Sequence, residues 1–130
     1  MPGVIGVLET CLYADDLDRA ARFYEELFGF QPMDGDARIR AYAVGDRSVL
    51  LLFRRGASRD VILGHDGAGP NHMAFAISRE ELEAWKRRLE EKDIVVEGTK
   101  RWPRGGVSLY FRDPDDNLLE LATPGVWPSY

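Results

Sequence analysis

Hydrophobic and polar positions along the chain follow two rhythms, and both occur twice. From Val4 to Ala14 the apolar content and residue types predict a strand. Leu17, Ala20, Phe23, Tyr24, Leu27 and Phe28 then recur every three or four positions between Asp15–Asp16, which suit an N-cap, and Gly29, which suits a stop, so an amphipathic helix follows. Gln31–Met33, Ile39–Val44 and Ser48–Phe53 return to strand character, with Gly35 and Gly45-Asp46 as turns. Arg54–Pro70, carrying Gly56, Gly64, Gly67, Gly69 and Pro70, reads as a loop with a short strand near Val61–Leu63, and His65 within it is expected to be simply solvated. Asn71–Ile77 restarts the order with a strand. Ser78 and Glu81 form a capping box, and Leu82, Trp85 and Leu89 mark the buried stripe of a helix ending near Lys92. Strands at Ile94–Glu97, Val107–Arg112 and Leu118–Ala122 complete it, the last two joined by the turn Asp113–Asn117.

The two halves align without a gap where it matters. Ser48–Gly56 matches Asn117–Gly125, which sets Leu51 against Glu120, and the first strands set Glu9 against His72. A duplication of about sixty residues predicts two βαβββ units, with equivalent strand positions meeting near a pseudo-two-fold axis. Within the strands, alternation separates two faces. Met73, Phe75 and Ile77 form a bulky face that meets a helix, while His72, Ala74 and Ala76 form a nearly bare one that leaves room for a ligand. Glu9 interrupts an apolar strand and shares its face with Cys11 and Tyr13. Glu120 is the lone charge between Leu119 and Leu121. Carboxylates so placed need a partner, solvent or a cation. Three metal-capable side chains at repeat-related inward positions, Glu9, His72 and Glu120, point to a bound cation whose charge relieves the repulsion of the two carboxylates.

Composition narrows the choices. The 130 residues fit one domain with a real core; hydrophobic residues make up 45% and charged residues 30%, which indicates neither disorder nor a membrane span. A formal net charge of −5 speaks against non-specific nucleic-acid binding. The basic pairs Arg38/Arg40, Arg54/Arg55 and Arg101/Arg104 are local spots for an anionic ligand or plain solvated surface. Cys11 is the single cysteine, so no internal disulfide forms, and MPGVIGVLET lacks the pattern of a secretory signal; a cytoplasmic location is expected.

The segments LETCLYADDLDRAARFYEELFGF, GPNHMAF and SLYFRDPDDNLLELATP resemble the vicinal oxygen chelate superfamily of glyoxalases, bleomycin-resistance proteins and extradiol dioxygenases, over nearly the whole chain. The resemblance implies an α+β fold in which two βαβββ modules, about 1–56 and 71–125 around a linker of about 57–70, form a curved mixed sheet around a metal or ligand cavity with the helices outside. It implies Glu9, His72 and Glu120 as ligands of one divalent ion, and a homodimer in which Glu9 comes from one chain and His72 with Glu120 from the other, or from one chain alone. Two departures from the family stand out: Leu51 occupies the place of a fourth glyoxalase ligand, and Glu9 that of a dioxygenase histidine. One imidazole with two carboxylates favours Mn, Fe or Mg and leaves Zn and Ni open. The expected function is that of a metal-dependent enzyme chelating a small substrate through two adjacent oxygens, in dioxygenase-like or lyase/isomerase-like chemistry; the alternative is a metal-free small-molecule or antibiotic-binding protein of the same fold. Tyr110 is the candidate catalytic donor. Trp102, Arg104, Cys11 and Tyr13 are candidates for substrate contact, with Trp102–Gly106 either a hinged loop that closes on a ligand or a plain connection. Trp127 and Tyr130 pack at a dimer contact or at the mouth of the site.

Overall fold

Alternating strands followed by an amphipathic helix must bury one face of each against the other, and the chain does this twice. The computed structural model describes residues Met1–Tyr130. The elements are β1 (Glu9–Ala14), α1 (Leu17–Phe28), β2 (Pro32–Gly35), β3 (Ile39–Val44), β4 (Ser48–Arg54), β5 (His72–Ala76), a 3₁₀ turn (Arg79–Glu81), α2 (Leu82–Glu91), β6 (Gly98–Arg101), β7 (Val107–Arg112) and β8 (Leu118–Ala122). They form two compact units, Met1–Ala68 and Gly69–Tyr130. Each unit holds one four-stranded sheet of mixed pairing, ordered β1-β4-β3-β2 and β5-β8-β7-β6. In both, the first strand is an edge strand lying parallel to the last, and the other pairs are antiparallel. The βαβββ order predicted from the sequence is therefore present in both halves.

The duplication extends to register. Cys11 pairs with Leu51 and Leu51 with Ala41 in the first sheet, as Ala74 pairs with Glu120 and Glu120 with Tyr110 in the second. Leu51 and Glu120 thus occupy the same place on the inner strand of their sheets.

In the first unit α1 starts where Asp16 Oδ1 accepts the Arg19 N–H at 3.0 Å and stops at Gly29, whose φ of 70° lies in the left-handed region. Its Leu17, Ala20, Tyr24 and Leu27 are buried, as are Leu12, Leu50, Leu52 and Tyr42 of the sheet. In the second unit Leu89, Leu109, Phe111, Leu119 and Leu121 are almost wholly buried, each such side chain contributing about 1.5–3 kcal/mol. The Asp113–Asn117 turn is as predicted: Asp113 Oδ1 accepts the N–H groups of Asp115 and Asn117, and Asn117 Oδ1 accepts that of Asn71, one residue before β5. No helix is long and apolar enough to cross a membrane.

Five predicted details are corrected. Val4–Leu8 is not strand: β1 pairs only with β4, whose ladder ends where Val49 N–H reaches Leu8 O, so Val4, Ile5 and Val7 are left exposed. β2 runs Pro32–Gly35 rather than Gln31–Met33, because its bonds to β3 begin at Pro32. Val61–Leu63 is not strand, since Leu63 has φ 56° and cannot continue an extended backbone. The capping box does not form: the Glu81 N–H goes to the Ser78 carbonyl in the 3₁₀ turn, and the Ser78 hydroxyl makes no cap bond. Ile94–Glu97 is not strand either. Asp93 turns at φ 56° and Ile94 N–H still closes on Leu89 O, so pairing with β7 starts only at Glu97 N–H to Tyr110 O, and β6 follows.

Candidate metal centre and binding cavity

The second unit builds its site on the face of the sheet opposite the one that carries the buried Leu119 and Leu121. Because side chains alternate, Leu119 and Leu121 enter the core and Glu120 emerges on the opposite face between β5 and β7. Its neighbours there are His72, at the head of β5, and Ser108 and Tyr110 of β7. Glu120 is only 6% exposed, so its charge needs partners. The Ser108 hydroxyl donates to Oε2. His72 Nε2 stands 3.2 Å from Oε1.

That second contact is informative because of what the other side of the imidazole does. His72 Nδ1 lies 2.8 Å from the Leu118 carbonyl oxygen. A carbonyl only accepts, so Nδ1 carries the hydrogen, and in the neutral ring Nε2 then presents a lone pair. A carboxylate oxygen also only accepts. Two acceptors therefore face each other, an arrangement that a proton or a cation between them resolves. Backbone carbonyl support of the far ring nitrogen is also what orients a histidine that ligates metal. The donor set fits part of a divalent ion's shell, with one imidazole and one carboxylate.

Around this pair lies a cavity of about 500 Å³, in the range of small-molecule sites. His72, Glu120 and Tyr110 form its polar side, Ala74 and Ala76 its bare floor, and Trp102, Trp127 and Tyr130 its aromatic walls. The Tyr110 ring lies nearly parallel to the imidazole, 29° between planes and 6.4 Å between centroids. Its phenol is pushed above its usual range chiefly by burial; the Ser108 hydroxyl opposes the shift, and the charge and hydrogen bond of Glu120 add to it. Tyr110 therefore stays a proton donor. Tyr130 Oη donates towards the carbonyls of Ile77 and Ala122, at 3.0 and 3.1 Å, which fastens the C-terminal segment over the sheet. The sequence left Trp127 and Tyr130 between a dimer contact and the site; both line the cavity.

Trp102 is also at the cavity, and its indole N–H donates to Ser108 Oγ at 2.9 Å, with Lys100 Nζ 3.8 Å above the ring. The segment after it is pinned rather than hinged. Gly105 N–H bonds to Trp102 O and Trp102 N–H to Gly106 O, Arg79 donates to the carbonyls of Gly105 and Pro124, and Gly106 packs so closely on Gly125 that a Cβ would fall 2.5 Å from its backbone. Arg104 is exposed and does not line the cavity.

The remaining candidates lie in the first unit. Glu9 is exposed at the head of β1, the register equivalent of His72. Cys11 and Tyr13 are half-buried on its face. Tyr13 Oη meets His65 Nδ1 at 2.5 Å, and the His65 ring packs edge-on against Phe53 at 4.5 Å. His65 is exposed, as the loop sequence leads one to expect, and it also holds Tyr13 through this bond, a partner that the Gly-rich loop gives no means to foresee. Burial, then the Cys11 hydrogen bond and the charges of Cys11 and Asp66, push the Tyr13 phenol up to about 12. Within each unit, His, Cys, Asp and Glu side chains do not gather into a group of three; the second unit brings together two of the expected ligands, His72 and Glu120. Ser108 is the residue the sequence passed over. Its only signal was a place on the same alternating face as Tyr110.

Duplicated βαβββ units, the second with a histidine–carboxylate pair on the polar side of a cavity, define a class of two-module α+β proteins. The chain belongs to the Glyoxalase/Bleomycin resistance protein/Dioxygenase superfamily, whose model matches residues 6–121. Among curated proteins it is similar to the metallothiol transferase FosB of Shouchella clausii, 29% identical over 92% of this chain and 81% of that protein. It is also similar to the glutathione transferase FosA of Serratia marcescens, 30% identical over 85% of this chain and 74% of that one. Among solved structures, the lactoylglutathione lyase from Agrobacterium tumefaciens superposes with a TM-score of 0.91 at 34% identity, covering 98% of this chain and 99% of the other.

Proposed function

We propose that this chain is a metal-dependent enzyme that holds a small substrate through two adjacent oxygens, with chemistry of the lyase, isomerase or thiol-transfer kind. The observation that carries the reading is the approach of His72 Nε2 to the buried Glu120 Oε1 at 3.2 Å, with the far ring nitrogen held on the Leu118 carbonyl. His72 and Glu120 are the proposed ligands in the second unit and Glu9 the third, supplied within the chain or across a homodimer in the cytoplasm. A divalent ion, Mn, Fe, Ni, Zn or Mg, supplies Lewis acidity to negative charge that develops on substrate oxygen. The relatives named as thiol and glutathione enzymes favour a thiol adduct, or a thiol co-substrate, over oxygen-dependent ring cleavage.

The chain's own groups divide the remaining work. Tyr110, kept protonated, donates to a substrate oxygen beside Glu120. Ala74 and Ala76 leave space for the substrate, and Trp102 and Trp127 wall it from water. Cys11, Tyr13 and Arg104 are retained as candidates for substrate contact.

Elemental analysis of protein purified without chelator tests the reading. About one equivalent of a divalent ion per chain is expected, lost on dialysis against chelator and in His72→Ala and Glu120→Ala. Less than about a tenth of an equivalent, not restored by adding any of the five ions, would leave metal-free binding of a small molecule as the function. Mixing Glu9→Ala with His72→Ala protein tests the shared site, since only a site built from two chains regains metal in the mixture.

A further inference from the structure

The hydrogen bonds behind Glu120 run in one forced direction. The indole N–H of Trp102 can only donate, so at 2.9 Å it occupies a lone pair of Ser108 Oγ. The single hydroxyl hydrogen of Ser108 is then directed to Glu120 Oε2, which as a carboxylate oxygen can only accept. Ser108 is fully buried and Glu120 nearly so, so no solvent molecule readily takes over either role. Backbone pairing holds the two side chains together: Ser108 pairs with Ala122 and Tyr110 with Glu120, which places Ser108 diagonally across β7–β8 on the same face as the carboxylate. Oε2 is thereby engaged by Ser108 and Oε1 faces His72 Nε2, with the Tyr110 phenol also hydrogen-bonded to the carboxylate.

We propose that Ser108, oriented by Trp102, is a positioning residue that fixes Glu120 as a one-oxygen ligand. This rests on the metal site proposed above and adds a statement about selectivity of geometry within it. A carboxylate free to bind through both oxygens would occupy one more position of a six-coordinate ion, and the two adjacent oxygens of the substrate need two positions. With three protein groups on the ion, two positions would then remain for those oxygens and none for water or a thiol; with Oε2 tied to Ser108, a third would stay open. Trp102 has a second part in this arrangement, because its ring walls the cavity while its N–H reaches the residue behind the carboxylate, so the cavity wall and the ligand are mechanically joined.

The test uses the full chain titrated with Zn²⁺ by calorimetry, together with the ¹⁵N-resolved indole N–H resonance of Trp102, identified by its absence in Trp102→Phe. Ser108→Ala should weaken Zn²⁺ binding by about tenfold or more, the usual effect of removing the hydrogen-bond partner of a ligand, whereas Ser108→Thr, which keeps the hydroxyl, should stay within about threefold of the natural chain. The Trp102 resonance should shift on adding Zn²⁺ to the natural protein and to Ser108→Thr but not to Ser108→Ala, a response that mere packing support would not give. Binding by folded Ser108→Ala within about twofold of the natural chain would overturn the positioning role and leave the metal site standing. Absence of Zn²⁺ binding by the natural chain would overturn the site and this role together. If Ser108→Ala does not fold, Trp102→Phe decides: a loss of about threefold or more, the order of one hydrogen bond, supports the relay, and unchanged affinity overturns it.

Discussion

His72 Nε2 stands 3.2 Å from Glu120 Oε1 while Nδ1 donates to Leu118 O, so that in the neutral ring the two facing atoms are both acceptors. Glu120→Gln changes one of them into a donor. The new amide N–H can satisfy Nε2 while the amide oxygen still accepts from Ser108. Metal-free Glu120→Gln should therefore be more stable than the metal-free natural chain by about 1 kcal/mol when the ring is neutral, and should lose divalent-ion uptake. Thermal unfolding with and without metal checks both halves; an ion bound as tightly by the Gln variant would remove Glu120 from the ligand set.

Tyr110→Phe separates donation from binding. Metal content should be unchanged, since the phenol is not a proposed ligand, while turnover should fall about 100-fold, the range of a positioned proton donor. Because burial and Glu120 hold the Tyr110 phenol above its usual value of 10.0, it keeps its proton throughout the neutral and moderately alkaline range. In the natural enzyme the loss of this donor should consequently set in at a higher pH than for a free phenol, and a pH–rate profile reads that directly.

Tyr42 offers a stability test away from the site. Its hydroxyl is buried without a well-formed hydrogen bond, and burial, with the Glu25 carboxylate facing it, pushes the phenol up to about 12. A folded value above the unfolded one of 10.0 means a contribution to stability that is complete below pH 10 and disappears as pH rises through 12. Tyr42→Phe should therefore flatten the alkaline decline across that window. Near neutrality it should be neutral or stabilising by up to about 1 kcal/mol, read from the denaturant midpoint.

Gly67 seats its loop on the first sheet by close approach. A Cβ there would fall 2.5 Å from the Tyr13 ring, so Gly67→Ala must push the loop away and break the bond from Tyr13 to His65. The expected cost is about 1–3 kcal/mol, with faster amide exchange at His65, whose N–H otherwise bonds to Ser58 O. Trimming Tyr13 to Ala in the same chain should recover part of that loss.

The legible part of this protein was whatever repeats or alternates. α1 announced itself at both ends through Asp16 and Gly29, and the gapless match of the halves anticipated the register that sets Leu51 and Glu120 in equivalent places. At Val4–Val7 and Ile94–Val96 apolar content predicts strand where no neighbouring ladder reaches, the pairing starting only at Leu8 and at Glu97. The bond between Tyr13 and His65 carries no signal in the sequence because the two lie 52 residues apart in the chain. Ser108 illustrates the same limit at the site. A serine in a strand carries no pattern of its own, and its meaning arises only when β7 and β8 place it against Glu120 on one side and Trp102 on the other.

Leu51 stands in the first sheet where Glu120 stands in the second, flanked by Cys11 and Ala41 as Glu120 is by Ala74 and Tyr110. The scaffold thus carries a duplicate of the position proposed for a ligand, filled there by an apolar side chain. One half can change its side chains there while the other retains the carboxylate, so new reactions can be acquired on this framework without dismantling the old one.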